Sequence, residues 1–185
     1  MEKPTLLLHL CCAPCATYVV KTLREHFDLV GYFCNSNIHP EEEYALRLGE
    51  MTRYAEQIGL RMIVADYDPE RWYEAIGGME QEPEGGSRCA ICIHLRMEET
   101  ARYARERGVL HFATTLTVSP HKRASMIHPI GRELAEEYGG MFYEADFKKK
   151  DGFKISCRMS QEAGLRRQDY CGCRFSKQEK AGAQV

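Results

Sequence analysis

The chain has 185 residues, 44% apolar and 28% charged, a balance that excludes intrinsic disorder and fits one compact domain. No apolar run approaches 18 residues, and the longest, Leu6–Leu10, is followed by cysteines, so a cytoplasmic protein is expected, with neither a membrane-spanning helix nor a signal peptide. The formal net charge of −2 conceals a division: residues 1–147 carry 15 Lys/Arg against 23 Asp/Glu, whereas residues 148–185 carry 10 against 4.

In chain order, Leu6–Leu10 is a continuous apolar run, the pattern of a strand buried on both faces. Ala16, Val20, Leu23 and Phe27 then recur at helical spacing, with Pro14 near the start, where a missing N–H costs little. Leu29–Cys34 reads as a second strand. Glu41-Glu42-Glu43 opens a helix with Tyr44, Leu48, Met51, Ala55 and Ile58 on its inner face, stopped by Gly59. Leu60–Ala65 is a third strand and 69–79 a short helix. Gln81–Arg88 is a loop, Cys89–Arg107 a long helix, and Val109–Thr115 a fourth strand. A polar loop, Leu116–Arg123, leads to a helix that breaks near Pro129 and runs on to Tyr138. Met141–Asp146 is the fifth strand, and short helices and loops complete the chain.

Strands joined by helices through short turns predict an α/β fold, a three-layer doubly wound and mostly parallel sheet of the Rossmann-like or HUP-like kind. Residues 1–147 form this sandwich, and 148–185 a short, basic helical and loop appendage packed on the same domain. Ligands of such sheets bind beyond the carboxyl ends of the strands, where strand order switches. Cys11-Cys12, Asn35–His39 and Thr115–His121 all follow strand ends, so their loops converge on one edge.

Nine cysteines without an export signal point to metal or redox chemistry rather than a disulfide framework. Seven fall into three groups. Cys11-Cys12-Ala13-Pro14-Cys15 sits at a strand-to-helix turn, where irregular backbone lets neighbouring sulfurs share a site and the helix N-terminus favours thiolates. Its Cys-Ala-Pro-Cys imitates a thioredoxin motif, yet closes the first strand, which thioredoxins do not do. Cys89 and Cys92 share one helix face. With Cys11 and Cys12 they complete a four-thiolate set suited to structural zinc or to an iron–sulfur cluster, and spacing does not choose between these. Cys171-Gly172-Cys173 would close a small, strained disulfide, which suits an electron relay or a second metal site.

No phosphate cradle or dinucleotide fingerprint follows any strand, so no nucleotide cofactor is expected. The opening resembles that of the ATP-pyrophosphatases that thiolate tRNA, with cysteines in place of their Ser-Gly-Gly loop. The basic C-terminal excess suits phosphate backbones. Lys122, Arg123, Lys148, Lys149 and Arg167 are the candidate nucleic-acid contacts, and His39, His121 and Tyr170, beside the motifs, are candidate proton donors. His9, on a strand, is expected to be a core residue.

His9-Leu10-Cys11-Cys12-Ala13-Pro14-Cys15, Asn37-Ile38-His39-Pro40, Glu82-Pro83-Glu84-Gly85-Gly86 with Cys89 and Cys92, Thr114 through Lys122, Asp146-Phe147-Lys148-Lys149, and Arg167-Gln168 with Tyr170-Cys171-Gly172-Cys173 occur in one order. Together, from Leu6 to about Ser176, they resemble the cobalamin-independent epoxyqueuosine reductase family, QueH. The resemblance implies reduction of epoxyqueuosine to queuosine at the wobble position of tRNA, without cobalamin and with an electron donor that the sequence does not name. It implies a 4Fe-4S cluster held by Cys11, Cys12, Cys89 and Cys92. It also implies that Cys171 and Cys173 form the redox-active pair, as a thiol relay or as ligands of a second iron. It gives Cys15 no role. The competing reading is a zinc-stabilised RNA-binding module without catalysis.

Overall fold

A computed structural model describes residues 2–182, so residues 183–185 of the basic segment and the Lys180 side chain lie outside the described residues. Five strands, β1 (Thr5–His9), β2 (Asp28–Phe33), β3 (Arg61–Val64), β4 (His111–Thr114) and β5 (Met141–Phe142), form one sheet in the order β3-β2-β1-β4-β5. Every pairing is parallel; Leu8 of the central strand faces Gly31 on one side and Ala113 on the other. The helices are α1 (Ala13–Leu23), α2 (Glu41–Gln57), α3 (Pro69–Ala75), α4 (Ser87–Glu106), α5 (Ala124–Tyr138), α6 (Gly152–Glu162) and α7 (Arg174–Gly182).

Side-chain alternation along β1 divides the core. Leu6, Leu8 and Leu10 pack with α1 and α2, joined by Phe147 and Leu165 from the C-terminal segment. Leu7 faces the other way, with Val30, Tyr32 and Phe112 against Ile93 and Met97 of α4 and Ile127 and Leu134 of α5. The four leucines are essentially sealed from water, and each contributes about 2 kcal/mol of burial, which makes β1 the firmest support for the cysteine loop at its end. The strand order reverses between β1 and β4, so their carboxyl ends, at Cys11 and Thr115, flank the switch point.

Three elements differ most from the sequence expectation. The short helix expected over 69–79 ends at Ala75, ahead of Gly77 and Gly78. The helix expected to break at Pro129 is continuous as α5, with Pro129 inside it. The carbonyl deprived of a donor belongs to Ser125, an exposed residue of the first turn, where water can serve it. The fifth strand was expected to reach Asp146 but ends at Phe142. Beyond it, Tyr143 N–H still bonds to the Phe112 carbonyl (2.8 Å), but the Thr117 hydroxyl draws the chain away by donating to the Ala145 carbonyl (2.8 Å).

In the C-terminal segment, α6 lies along α1 through its small residues. Ser156 Oγ donates to the Pro14 carbonyl (2.8 Å), which also accepts from Thr17 Oγ1 (2.9 Å). This braces the first turn of α1, the turn that carries Cys15. Among the described residues no helix is long and apolar enough to cross a membrane.

Candidate active site

The first sulfur group is built at the β1–α1 junction. Cys12 caps α1 in an extended conformation, and Pro14 fills an early helical position, so Cys12 and Cys15 fall on one side of the first turn. Cys12 Sγ lies 3.9 Å from Cys11 Sγ and 2.9 Å from Cys15 Sγ, and the three sulfurs lie within 4.8 Å of one another. No other trio of Cys, His, Asp or Glu among the described residues converges this closely. Thr115, at the end of β4, accepts from Cys11 N–H (3.0 Å) and donates its hydroxyl to Cys11 Sγ (3.1 Å).

Hydrogen bonds from Cys12 and then Cys15 hold the Cys11 thiol well below its ordinary pKa against the effect of burial, helped by Arg96 and Thr115. The bond to Cys11 drives Cys12 and Cys15 upward. Within the trio Cys11 is therefore the sulfur most disposed to ionise, with Cys12 and Cys15 as its donors. A soft, thiolate-binding metal fits this donor set, since binding would replace the remaining protons.

The second group comes from two distant segments. Cys89 and Cys92, on α4, line a small cavity of about 20 Å³ together with Cys171 and Cys173. The loop before α4 is tight: a Cβ on Gly86 would lie 2.7 Å from Glu82 Oε2 and 3.2 Å from the Pro83 carbonyl. That turn aims the Gly85 N–H at Cys89 Sγ (3.2 Å). Burial pushes the Cys92 thiol up, with Arg96 and the Trp72 indole opposing it. Cys171 is brought down to about 5 by a hydrogen bond from Cys173, against burial and with help from the Lys122 ammonium. Cys173 is driven up by the same bond. The pair thus has the asymmetry of a nucleophilic thiolate and its protonated partner.

A larger pocket, with about 940 Å³ of empty space including its open mouth, joins the groups: Cys11, Cys12, Cys15 and Cys171 all line it. Arg96, Lys122 and Cys171 line both this pocket and the smaller cavity, so the two adjoin.

A family model described as Epoxyqueuosine reductase QueH matches residues 6–179. The chain belongs to the epoxyqueuosine reductase QueH family. It is 38% identical to Epoxyqueuosine reductase QueH of Streptococcus pyogenes serotype M1, over 94% of this chain and 71% of that protein. It is 37% identical to Epoxyqueuosine reductase QueH of Thermotoga maritima, over 95% of this chain and 92% of that one. In fold it is similar to the U34-tRNA thiolase NcsA from Methanococcus maripaludis with its 4Fe-4S cluster. The TM-score is 0.60 at 13% identity, covering 95% of this chain and 62% of that one.

The residues singled out by the QueH resemblance fall into distinct places. Cys11 and Cys12 converge with Cys15, a sulfur to which the sequence assigns no role. Cys89, Cys92, Cys171 and Cys173 share the adjoining cavity. Lys122 is turned inward, 11% exposed and 3.4 Å from Glu84 Oε1. Lys148 is bound to the Lys122 carbonyl (2.9 Å) and to Asp146 (3.0 Å). Arg123, Lys149 and Arg167 are exposed; Arg123 donates to the Gly85 carbonyl (2.5 Å), and Arg167 lies 5.2 Å over the Phe153 ring. His121 lines the pocket, whereas His39 is packed against Trp72 and Tyr73.

His9 is a core residue. Its Nε2 faces the Cys34 carbonyl (3.3 Å), which can only accept, so Nε2 carries the proton and Nδ1 accepts from Thr114 Oγ1 (2.9 Å). Two cations of the site are not evident from the sequence. Arg96 lies one helical turn beyond Cys92 and donates to Asn35 Oδ1 (2.8 Å); its i+4 spacing was the available signal. Arg47 lies among the inward-facing positions of α2, and a charge there was its signal.

Proposed function

We propose that the chain reduces the epoxide of epoxyqueuosine at the wobble position of tRNA to the alkene of queuosine. The observation that carries this reading is one pocket lined by both the Cys11, Cys12 and Cys15 sulfurs and the low-pKa Cys171. Both carbon–oxygen bonds of the epoxide break and a carbon–carbon double bond forms. The oxygen leaves as water, which requires two electrons and two protons.

In this reading Cys11, Cys12, Cys89 and Cys92 hold a 4Fe-4S cluster, which would supply electrons one at a time. Cys171 and Cys173 are the redox-active pair, or hold a second iron; no cobalamin takes part. Cys15, in contact with Cys12, competes for a place among the ligands, and iron content of Cys15→Ser decides its role. Cys171 as a thiolate and Cys173 as a thiol together can release two electrons and one proton on forming a disulfide; the second proton comes from another group of the pocket or from water, and an external reductant restores the pair. Lys122 holds positive charge beside Cys171 and stabilises its thiolate. His121, in the pocket lining, is placed to pass a proton to the departing oxygen. The wobble base must leave its stack to reach the pocket, and the exposed Arg123, Lys149 and Arg167 meet the flanking phosphates. Segment 148–185 acts as part of the same unit, and the protein works in the cytoplasm.

The test is anaerobic incubation of iron-reconstituted protein with epoxyqueuosine-bearing tRNA and a strong reductant, followed by nucleoside mass analysis. Conversion to queuosine is expected. A colourless protein that holds only zinc after reconstitution and leaves the nucleoside unchanged overturns the proposal.

A further inference from the structure

The Tyr170-Cys171-Gly172-Cys173 segment is held by a distant part of the chain. Arg47 of α2 has a side chain only 3% exposed, and its guanidinium reaches two consecutive backbone carbonyls. Nη1 donates to Cys171 (3.2 Å) and Nη2 to Tyr170 (3.2 Å). The third carbonyl in the row, Gly172, accepts from the His39 N–H (2.8 Å), and Tyr170 Oη donates back to the His39 carbonyl (2.8 Å).

The fit is close. Gly172 has φ of 112°, and a Cβ there would lie 3.1 Å from Arg47 Nη1 and 3.0 Å from Ile38 Cγ1. The guanidinium also lies 5.0 Å from the centre of the Tyr170 ring. Its remaining edge is fixed by Glu43, whose Oε1 is 2.6 Å from Nε and also takes a 2.7 Å contact from Arg166. A planar fork can serve two carbonyls at once, whereas a lysine ammonium is a point donor that cannot reproduce this geometry.

We propose that Arg47, oriented by Glu43, is the positioning residue of the Cys171–Cys173 pair, fixing the direction in which Cys171 Sγ enters the pocket. The inference rests on the reading of this pair as redox-active. It gives a purpose to the Asn37-Ile38-His39-Pro40 loop and to Glu43 that the reaction itself does not require. Arg47 acts through the backbone of its neighbours, so its effect should appear in turnover and in sulfur reactivity rather than in tRNA affinity.

The experiment uses the full-length, iron-reconstituted protein and its Arg47→Lys, Arg47→Met and Glu43→Gln variants, with folding checked by circular dichroism. Two readouts are taken: kcat and KM on epoxyqueuosine-bearing tRNA, and the rate of Cys171 alkylation by iodoacetamide against pH, resolved by peptide mass. Cys157, on α6, serves as the internal control. Arg47→Lys is expected to lower kcat by about tenfold or more, since small misplacements of a reacting group are costly. KM should stay within about twofold. The Cys171 alkylation profile should shift while that of Cys157 does not. Arg47→Met should be worse than Arg47→Lys, and Glu43→Gln should move both readouts the same way by less; this variant serves if Arg47→Met does not fold. Unchanged kcat and an unchanged Cys171 profile in folded Arg47→Lys overturn the proposal, as does a change confined to KM. Full reduction by Cys171→Ala would instead remove the redox reading, while the alkylation profile would still test the positioning.

Discussion

The two sulfur groups are assembled in opposite ways. Cys11, Cys12 and Cys15 lie within five residues, brought together by one strand-to-helix turn whose conformation is local. Cys89, Cys92, Cys171 and Cys173 meet only because α4 and the segment before α7 fold against each other, with Lys122 between them and Arg47 behind. The first group is buttressed by the central strand and by α6. The second rests on α4 for Cys89 and Cys92 and, for Cys171 and Cys173, on a segment tied down by hydrogen bonds. The difference separates a site made by one local turn from one that exists only once distant segments have packed.

The largest effect that would test this contrast is loss of the first group. Cys12→Ser is expected to strip iron from the reconstituted protein and lower turnover by at least about 10³-fold, read by iron analysis and nucleoside mass analysis. Next, Cys171→Ala and Cys173→Ala should abolish reduction yet leave melting temperature and tRNA affinity near those of the parent; a loss of affinity would make the second group structural.

Acid should act on the first region. Burial, reinforced by Arg96, lowers the His9 pKa to about 3 from its ordinary 6.5. The neutral form is the folded one, so its contribution is complete above pH 6.5 and lost as pH falls from there toward 3. The slope is about 1.4 kcal/mol per pH unit, or about 2 kcal/mol by pH 5. His9→Gln, measured by urea titration at pH 7 and pH 5, should flatten this dependence; an unchanged slope would place the acid sensitivity elsewhere. The smallest effect per residue belongs to the surface. If the basic face meets about six phosphates, tRNA affinity should fall about 10³-fold between about 50 and 200 mM salt, with single Arg123 or Lys149 substitutions each reducing the slope by about one.

Much of the sheet was legible because apolar runs and helical spacing are local: Leu6–Leu10 and the inner faces of α1 and α2 need no tertiary context. The end of β5 was not, because a side chain elsewhere, Thr117, decides where the edge strand leaves the sheet. Likewise Pro129 reads as a breaker unless it is known that Ser125, four residues earlier, is exposed. At the site, the Cys-Cys-Ala-Pro-Cys run declares itself. Arg47 and Arg96 do not, since charged residues in helices ordinarily face water and only packing turns these two inward. Lys122 shows the same limit: a lysine beside a basic loop reads as a phosphate contact, and its burial among sulfurs emerges only from the fold.

Because β1 is paired on both flanks, with Leu10 N–H bound to Tyr32 and Thr115 N–H to the His9 carbonyl, it acts as a ruler for the turn at its carboxyl end. Inserting a single residue ahead of Cys11 would not merely lengthen a connection. It would either drag the leucines to the wrong layers or swing the sulfurs out of the crevice, so the spacing from Leu6 to Cys11 is as much a part of the chemistry as the thiols themselves.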